Sequence, residues 1–399
     1  MKMIFNRHAL FNLPFFSLYT VFSLTVCTTN ANSEEKINIS GFGTLGYSQL
    51  LNSSGGESFD SNSLSYKSNK TKKYMGIDKR GTFARDARFG LNLDIPLDKN
   101  NLFLTAQIYS EAADTITGES QEFKTRLSLL NLNYSPFDGT TIRAGLLRIP
   151  IWFISDEKLV GYTYPFIRNP TEVDTAHRQG DTVTGVSISK VFEFGKLAIR
   201  PTVTGGSIDF HVADNYRDRT TALGTGLFAS TRFEYGENII MSLGYTGVKA
   251  NSITDTVRET EMYGYDILST QVMKNDVNLK EYVADFKYES SKFLMMSEVY
   301  TQVYNVKDSN VKPINGGRFD VTGGYILVGL PIKKWLPRLS ASQHRSKLNI
   351  GLNYQWKTNV LFKMELQRTM SPSEASVGLL GLNRGGTIDL LSTSVDFVY

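Results

Sequence analysis

The chain has 399 residues, with 43 Lys and Arg against 39 Asp and Glu, for a formal charge of +4. That near-balance gives no basic footprint for nucleic acid, and one cysteine with four histidines supplies neither a disulfide framework nor a recognisable metal-ligand spacing. Mean hydropathy is −0.21, a value that a soluble protein shares with a barrel whose apolar and polar residues alternate and cancel.

At the start of the chain, Lys2 and Arg7 precede an apolar stretch over residues 9–26, and Thr29, Asn30 and Ala31 offer a cleavage site. This is the layout of a secretory signal peptide spanning residues 1–31. Asn12, Pro14 and several Ser and Thr residues interrupt the stretch, whereas a spanning helix needs about 20 apolar residues. Cys27 does not read as a lipidation site, because Val26 stands where a small residue belongs. Residues 32–399 lack cysteine, so an exported chain must hold itself together without disulfides, and a closed hydrogen-bonded barrel can.

From there onward the sequence alternates. Phe89, Leu91, Leu93 and Ile95 interleave with Arg88, Gly90, Asn92 and Asp94. Tyr282, Ala284, Phe286 and Tyr288 interleave with Asp285, Lys287 and Glu289. Leu348, Ile350, Leu352, Tyr354 and Trp356 interleave with Asn349, Gly351, Asn353, Gln355 and Lys357. Val360, Phe362, Met364 and Leu366 then face Lys363, Glu365 and Gln367. A helix cannot keep a period-2 face on one side. Charges on one face of strand after strand suit a wet lumen and not the dry interior of a sandwich.

The connections alternate in length. Short ones such as Asp138-Gly139-Thr140 and Gly236-Glu237-Asn238 have tight-turn compositions. Between them lie polar stretches at 50–86, 111–122, 151–180, 211–220, 250–278, 308–318 and 370–388. Strands are expected to start near Ile37, Ala87, Asn101, Phe123, Thr140, Asp181, Lys196, Thr221, Asn238, Leu279, Lys292, Phe319, Trp335, Ser346, Asn359 and Asp389. The fold class read from this is all-β. It is one transmembrane antiparallel β-barrel over residues 32–399, of about 16 strands, or about 18 if 250–278 hides a further hairpin. Short turns face the periplasm and long loops the outside.

The final residues read LLSTSVDFVY. Leu391, Thr393, Val395, Phe397 and Tyr399 share one face, and Ser392, Ser394 and Asp396 the other. Val395, Phe397 and Tyr399 resemble the C-terminal signal by which Gram-negative outer-membrane proteins are recognised for insertion. That resemblance implies a cell outer-membrane location and the barrel assembly machinery as a partner.

Two further segments carry a resemblance. ISGFGTLGY, from Ile39 to Tyr47, is similar to the first strand of a family of porin-like proteins from gammaproteobacteria. IRAGLLRIPIW, from Ile142 to Trp152, and VGYTYPFIRNPTEV, from Val160 to Val173, resemble that family's fifth strand and the loop after it. Leu146 stands where family members carry a further Arg, and Asn169 where they carry a second Pro, so ion selectivity does not transfer. The resemblance implies a porin fold with an inward constriction loop near 151–180, and a homotrimer is compatible with it.

Within that loop Pro150, Pro165 and Pro170 limit the backbone, and Tyr162, Tyr164 and Phe166 can pack against the inner wall. Lys158, Arg168, Glu172, Asp174, His177 and Arg178, with Asp156 and Glu157, are then candidates for a pore constriction, where a few fixed charges govern ion entry. Arg143 and Arg148 on the preceding strand join them. Arg143 shares the lumen parity of Thr141 and Gly145, but Arg148 breaks it, which requires a bulge or a rim position. A basic run from Tyr66 to Arg88 suits lipopolysaccharide phosphates, an anion-attracting vestibule, or plain solvation.

The function expected is a porin: a water-filled channel for passive diffusion of small hydrophilic solutes or ions, with outer-membrane lipid around it and no cofactor or metal. One alternative is a narrow or plugged barrel whose loops bind a ligand or host surface. Another is a rim hydrolase using His211 near Asp209 and Asp214. The loop asymmetry fixes an orientation that can be checked. An epitope inserted at Lys70 should be detected on intact cells, and detection only after permeabilisation would reverse the assignment.

Overall fold

The computed structural model describes residues 37–53, 56–60, 65–69, 77–98, 101–112, 123–155, 157–168, 182–214, 218–262, 265–308, 318–343, 347–370 and 387–399. The expected signal peptide lies outside them, as do Asp156, Glu172, Asp174, His177, Arg178 and His344.

The strands are β1 (Asn38–Ser53), β2 (Gly56–Asp60), β3 (Ser65–Asn69), β4 (Arg88–Asp98), β5 (Leu102–Ala112), β6 (Phe123–Tyr134) and β7 (Thr140–Arg148). They continue with β8 (Thr182–Lys190), β9 (Phe192–Phe194), β10 (Leu197–Asp214), β11 (Asp218–Tyr235), β12 (Ile239–Met262) and β13 (Tyr265–Glu289). The last are β14 (Leu294–Asp308), β15 (Arg318–Gly329), β16 (Trp335–Ser342), β17 (Lys347–Lys357), β18 (Val360–Met370) and β19 (Thr387–Val398). β2 and β3 form a separate hairpin, and the other 17 strands form one antiparallel sheet. β8 and β9 share a stave, since both pair with β10 on either side of Val191, which leaves 16 staves. β1 pairs with β4 on one edge and with β19 on the other, so the sheet closes.

The closed 16-stave barrel has the strand count read from the sequence, and fifteen of the expected starts agree within about three residues; the strand expected near Leu279 begins at Tyr265. The option of about 18 strands is corrected. Residues 250–278 are the outer halves of β12 and β13, which pair without a break out to Met262 and Tyr265. Their composition reads as loop because no run of alternating apolar residues marks a face there.

The two faces sort as the alternation requires. Leu91, Leu132, Ile188, Leu243, Val299, Ile350 and Met364 point outward and are exposed, while Thr44, Ser48, Asn133, Thr204, Ser242 and Ser392 point inward and are buried. In β19, Ser392, Ser394 and Asp396 face in, and Leu391, Thr393, Val395 and Phe397 face out. At the short-turn end Trp335 lies 4.4 Å from Tyr354 and Trp356 5.7 Å from Phe362, measured between ring centroids. An apolar outer band with an aromatic edge is what a bilayer selects.

This face assignment predicts an asymmetry. Ile350→Arg places a charge on the outer band, where it costs roughly 2–4 kcal/mol near the midplane, whereas Thr202→Arg projects into the lumen. Urea titration of folding into lipid vesicles should show Ile350→Arg destabilised by that amount and Thr202→Arg close to wild type. Equal losses would mean the strand faces are misassigned.

Candidate pore-lining site

The segment after β7 crosses the lumen. Pro150 cannot extend the ladder, and the chain turns inward through a succession of tight backbone bonds, including Ser155 N–H to Trp152 O at 3.0 Å and Val160 N–H to Glu157 O at 2.8 Å. Its first stretch packs on β12 to β14. Trp152 meets Tyr300 edge-on with centroids 5.4 Å apart, and Phe153 N–H donates to Glu298 Oε2 at 3.2 Å. A Cβ on Gly244 would lie 2.7 Å from Ile151 O, so only glycine lets the wall and the segment approach this closely.

The second stretch packs on the adjoining arc, β15 to β19 with β1 and β4. Phe166 stands edge-on to Tyr325 at 5.3 Å. Asn353 Nδ2 donates to Pro165 O at 3.1 Å, and Lys363 Nζ donates to Gly161 O at 2.6 Å and Phe166 O at 2.8 Å. Gln355 Nε2 donates to the Tyr162 hydroxyl at 2.7 Å. A side chain on Gly161 would collide with Asp396, Thr44 and Arg88. Tyr164 and Phe166 are buried, as packing against the inner wall requires.

Arg168 ends the described part of the segment in a clamp. Its Nε donates to Asp86 Oδ1 at 2.6 Å and its Nη2 to Asp86 Oδ2 at 2.7 Å and Ser392 Oγ at 2.7 Å, with Ser48 Oγ a further partner. Burial works against ionisation of Asp86, but Arg168 and the Ser48 hydroxyl outweigh it and hold the carboxyl below its ordinary range. The pair's stabilisation is therefore complete above the ordinary carboxylate pKa of 3.8 and is lost as pH falls through the lower folded value. Arg168 thus carries a neutralised charge fixed to the wall. The carboxylates expected to face it, Glu172 and Asp174, lie with His177 and Arg178 outside the described residues.

Arg143, Arg148 and Lys158 divide differently. Arg143 is exposed on the inner face, level with Asn133 and Ser187. Arg148 is buried, and its Nη2 donates to Gln107 Oε1 at 3.0 Å and Ser128 Oγ at 2.9 Å. Its broken parity goes with irregularities in its own strand and the next. The β5–β6 register shifts between Gln107 and Ile108, passing over Ser128, and β7 passes through Gly145 at φ +133°. Lys158 is half-buried, and its carbonyl accepts from the Tyr164 hydroxyl at 3.2 Å.

The inner wall holds charged partners that the sequence reading did not single out. Arg338 Nη2 meets Glu365 Oε2 at 2.7 Å and Lys363 Nζ meets Asp396 Oδ2 at 3.0 Å, all four nearly inaccessible. Asp285 and Glu298 sit directly across from each other on β13 and β14, and Ser242 Oγ donates to Asp285 Oδ2 at 2.6 Å. Gln302 Nε2 donates to Glu281 Oε1 at 2.5 Å. Their signal was the charged residue at an inward position; which charge meets which depends on register between distant strands, and no local pattern shows that.

Between the crossing segment and the short turns lies a cavity of about 1620 Å³. Arg143, Arg200, Arg232, Asn133, Ser189 and Thr202 are among its walls. Such a volume holds many waters and a small solute.

No protein-family model matches the chain, and no curated protein sequence matches it. Solved structures do resemble it. The outer membrane channel DcaP of Acinetobacter baumannii superposes with a TM-score of 0.51 at 12% identity, over 93% of this chain and 100% of that one. The anion-selective porin from Comamonas acidovorans superposes with a TM-score of 0.50 at 12% identity, over 92% of this chain and 100% of that one. At that identity the likeness speaks to architecture, and with the closed sheet, the apolar outer band and the lumen-crossing segment it shows that the chain has the fold of the outer-membrane channel barrels.

Proposed function

We propose that this chain is an outer-membrane porin, a passive water-filled channel for small hydrophilic solutes or ions, and not a catalyst. The observation that carries the reading is a cavity of about 1620 Å³, with Asn, Ser, Thr and Arg among its walls, inside a barrel whose outer face is apolar. A lumen lined by Asn, Ser, Thr and Arg replaces part of a solute's hydration shell, while the outer face meets lipid. The crossing segment acts as the constriction. It runs from β7 across the lumen to β12 to β14 and on along β15 to β19, which narrows the passage, and Arg168 fixes its far end. A cleaved signal peptide at residues 1–31, insertion through the C-terminal strand by the barrel assembly machinery, contact with lipopolysaccharide and a homotrimeric assembly belong to the same reading.

Planar-bilayer recording tests it. Purified protein should give discrete conductance steps that scale with bulk salt conductivity. A refolded, heat-modifiable barrel with no steps would refute the channel. Arg168→Gln should leave the barrel folded but free the end of the segment, raising current noise and mean conductance, with Asp86→Asn giving the same phenotype. In wild type, acidification below about pH 4 should move the noise toward that of the variants, because the Arg168–Asp86 pair is lost in that direction. Unchanged recordings from both variants would place the constriction elsewhere.

A further inference from the structure

The charges of the inner wall fall into two groups according to whether water reaches them. The first lies under the crossing segment. Glu281, Asp285 and Glu298 on β13 and β14 are 1%, 4% and 1% exposed. Ile151, Trp152 and Phe153 cover this arc, through the close approach to Gly244, the Trp152–Tyr300 contact and the Phe153 N–H bond to Glu298. On the other arc Arg338 with Glu365, Lys363 with Asp396 and Arg168 with Asp86 are paired and buried.

The second group faces the cavity. Arg200 on β10 stands directly opposite Arg232 on β11. Ser187 pairs with Thr204, four residues beyond Arg200, and with Arg143 on β7. At about 3.3 Å per residue, Arg143 is thus roughly 13 Å further along the wall, and Arg148 about 16 Å beyond it. Together they form a staircase from the short-turn end to the crossing segment. Arg232 is balanced by Glu234 at 2.7 Å, and its guanidinium lies 5.7 Å from the Phe153 ring centre. Arg143 and Arg200 pair with no carboxylate among the described residues. No residue of β5 to β11 that lines the cavity is acidic; Asp94, Asp138 and Glu157 are the acidic side chains on it, against Arg143, Arg148, Arg200, Arg232, Lys333, Lys334 and Lys357. Like charges directly across a ladder destabilise it, and at Arg200–Arg232 the Glu234 carboxylate on Arg232 offsets part of that cost, which leaves Arg200 as the cation without a carboxylate.

We propose that the channel selects small anions, and that the crossing segment creates this preference by covering the carboxylates of β13 and β14 while leaving Arg143, Arg200 and Arg232 open to the cavity. The inference rests on the channel reading and adds the class of solute. A low-dielectric passage lined by one sign of charge concentrates the opposite ion. Carboxylates shut away from water do not compete for it.

The test is the reversal potential of single channels under a potassium chloride gradient. Wild type should pass chloride over potassium by roughly tenfold at low salt, with the ratio declining as ionic strength rises. Arg143→Gln with Arg200→Gln should lower that ratio by about threefold or more while the channel still conducts. Lys196→Gln, on a turn outside the cavity, should leave it unchanged, and so should Glu281→Gln, because that carboxylate is covered and its partners Thr246 and Gln302 belong to the wall. Trp152→Ala, which loosens the cover, should lower it. Cation preference in wild type, or an unchanged ratio in the double arginine variant, overturns the inference while leaving a conducting channel in place. A ratio that rises in Glu281→Gln overturns the masking role of the segment. Absence of any conductance removes the channel reading, and this inference with it.

Discussion

A backbone that crosses hydrocarbon has no water to satisfy its N–H and C=O groups, and an open sheet edge there is untenable. Everything else in this molecule depends on the pairing that removes the edge, β1 against β19. It makes the apolar face continuous on the outside and turns the polar face into a lumen. With no disulfide to close the chain on itself, this ladder is the fastener. The composition follows from it: an overall hydropathy that looks soluble, arranged so that every second residue is not.

Once the lumen exists, its charges have to be accommodated. A buried ion costs several kcal/mol unless partners compensate. The wall under the crossing segment meets that demand by pairing, as Lys363 does with Asp396 and with two backbone carbonyls, Gly161 and Phe166. Those contacts tie the segment to the wall and satisfy the lysine together. Stability and pore geometry are thus carried by the same hydrogen bonds.

Strand parity was legible because it is local: Ile350 against Asn349 and Asn353, or Leu391 against Ser392, can be read from neighbours in the chain. The stave count was legible because turns such as Gly236-Glu237-Asn238 punctuate it. The outer halves of β12 and β13 were not, since the apolar alternation that marks a strand does not continue into residues 252–275. Arg148 shows a second limit. Its departure from parity was visible in its own strand, but the irregularities beside it, the positive φ of Gly145 and the register shift at Ser128 in the next strand, leave no local pattern in the sequence. Arg168 shows a third. The arginine was visible as a loop charge, yet its partner Asp86 lies 82 positions away in a stretch read as a basic run.

The Arg168 clamp also depends on closure of the barrel. Its partners come from β1 (Ser48), from the residues before β4 (Asp86) and from β19 (Ser392), which are the two ends of the chain brought together. The receptor for the arginine is not assembled until the first and last strands have met. The full set of partners for the arginine therefore exists only in the closed sheet, and the same side chain that fixes the end of the crossing segment also bridges the seam between the first and last strands.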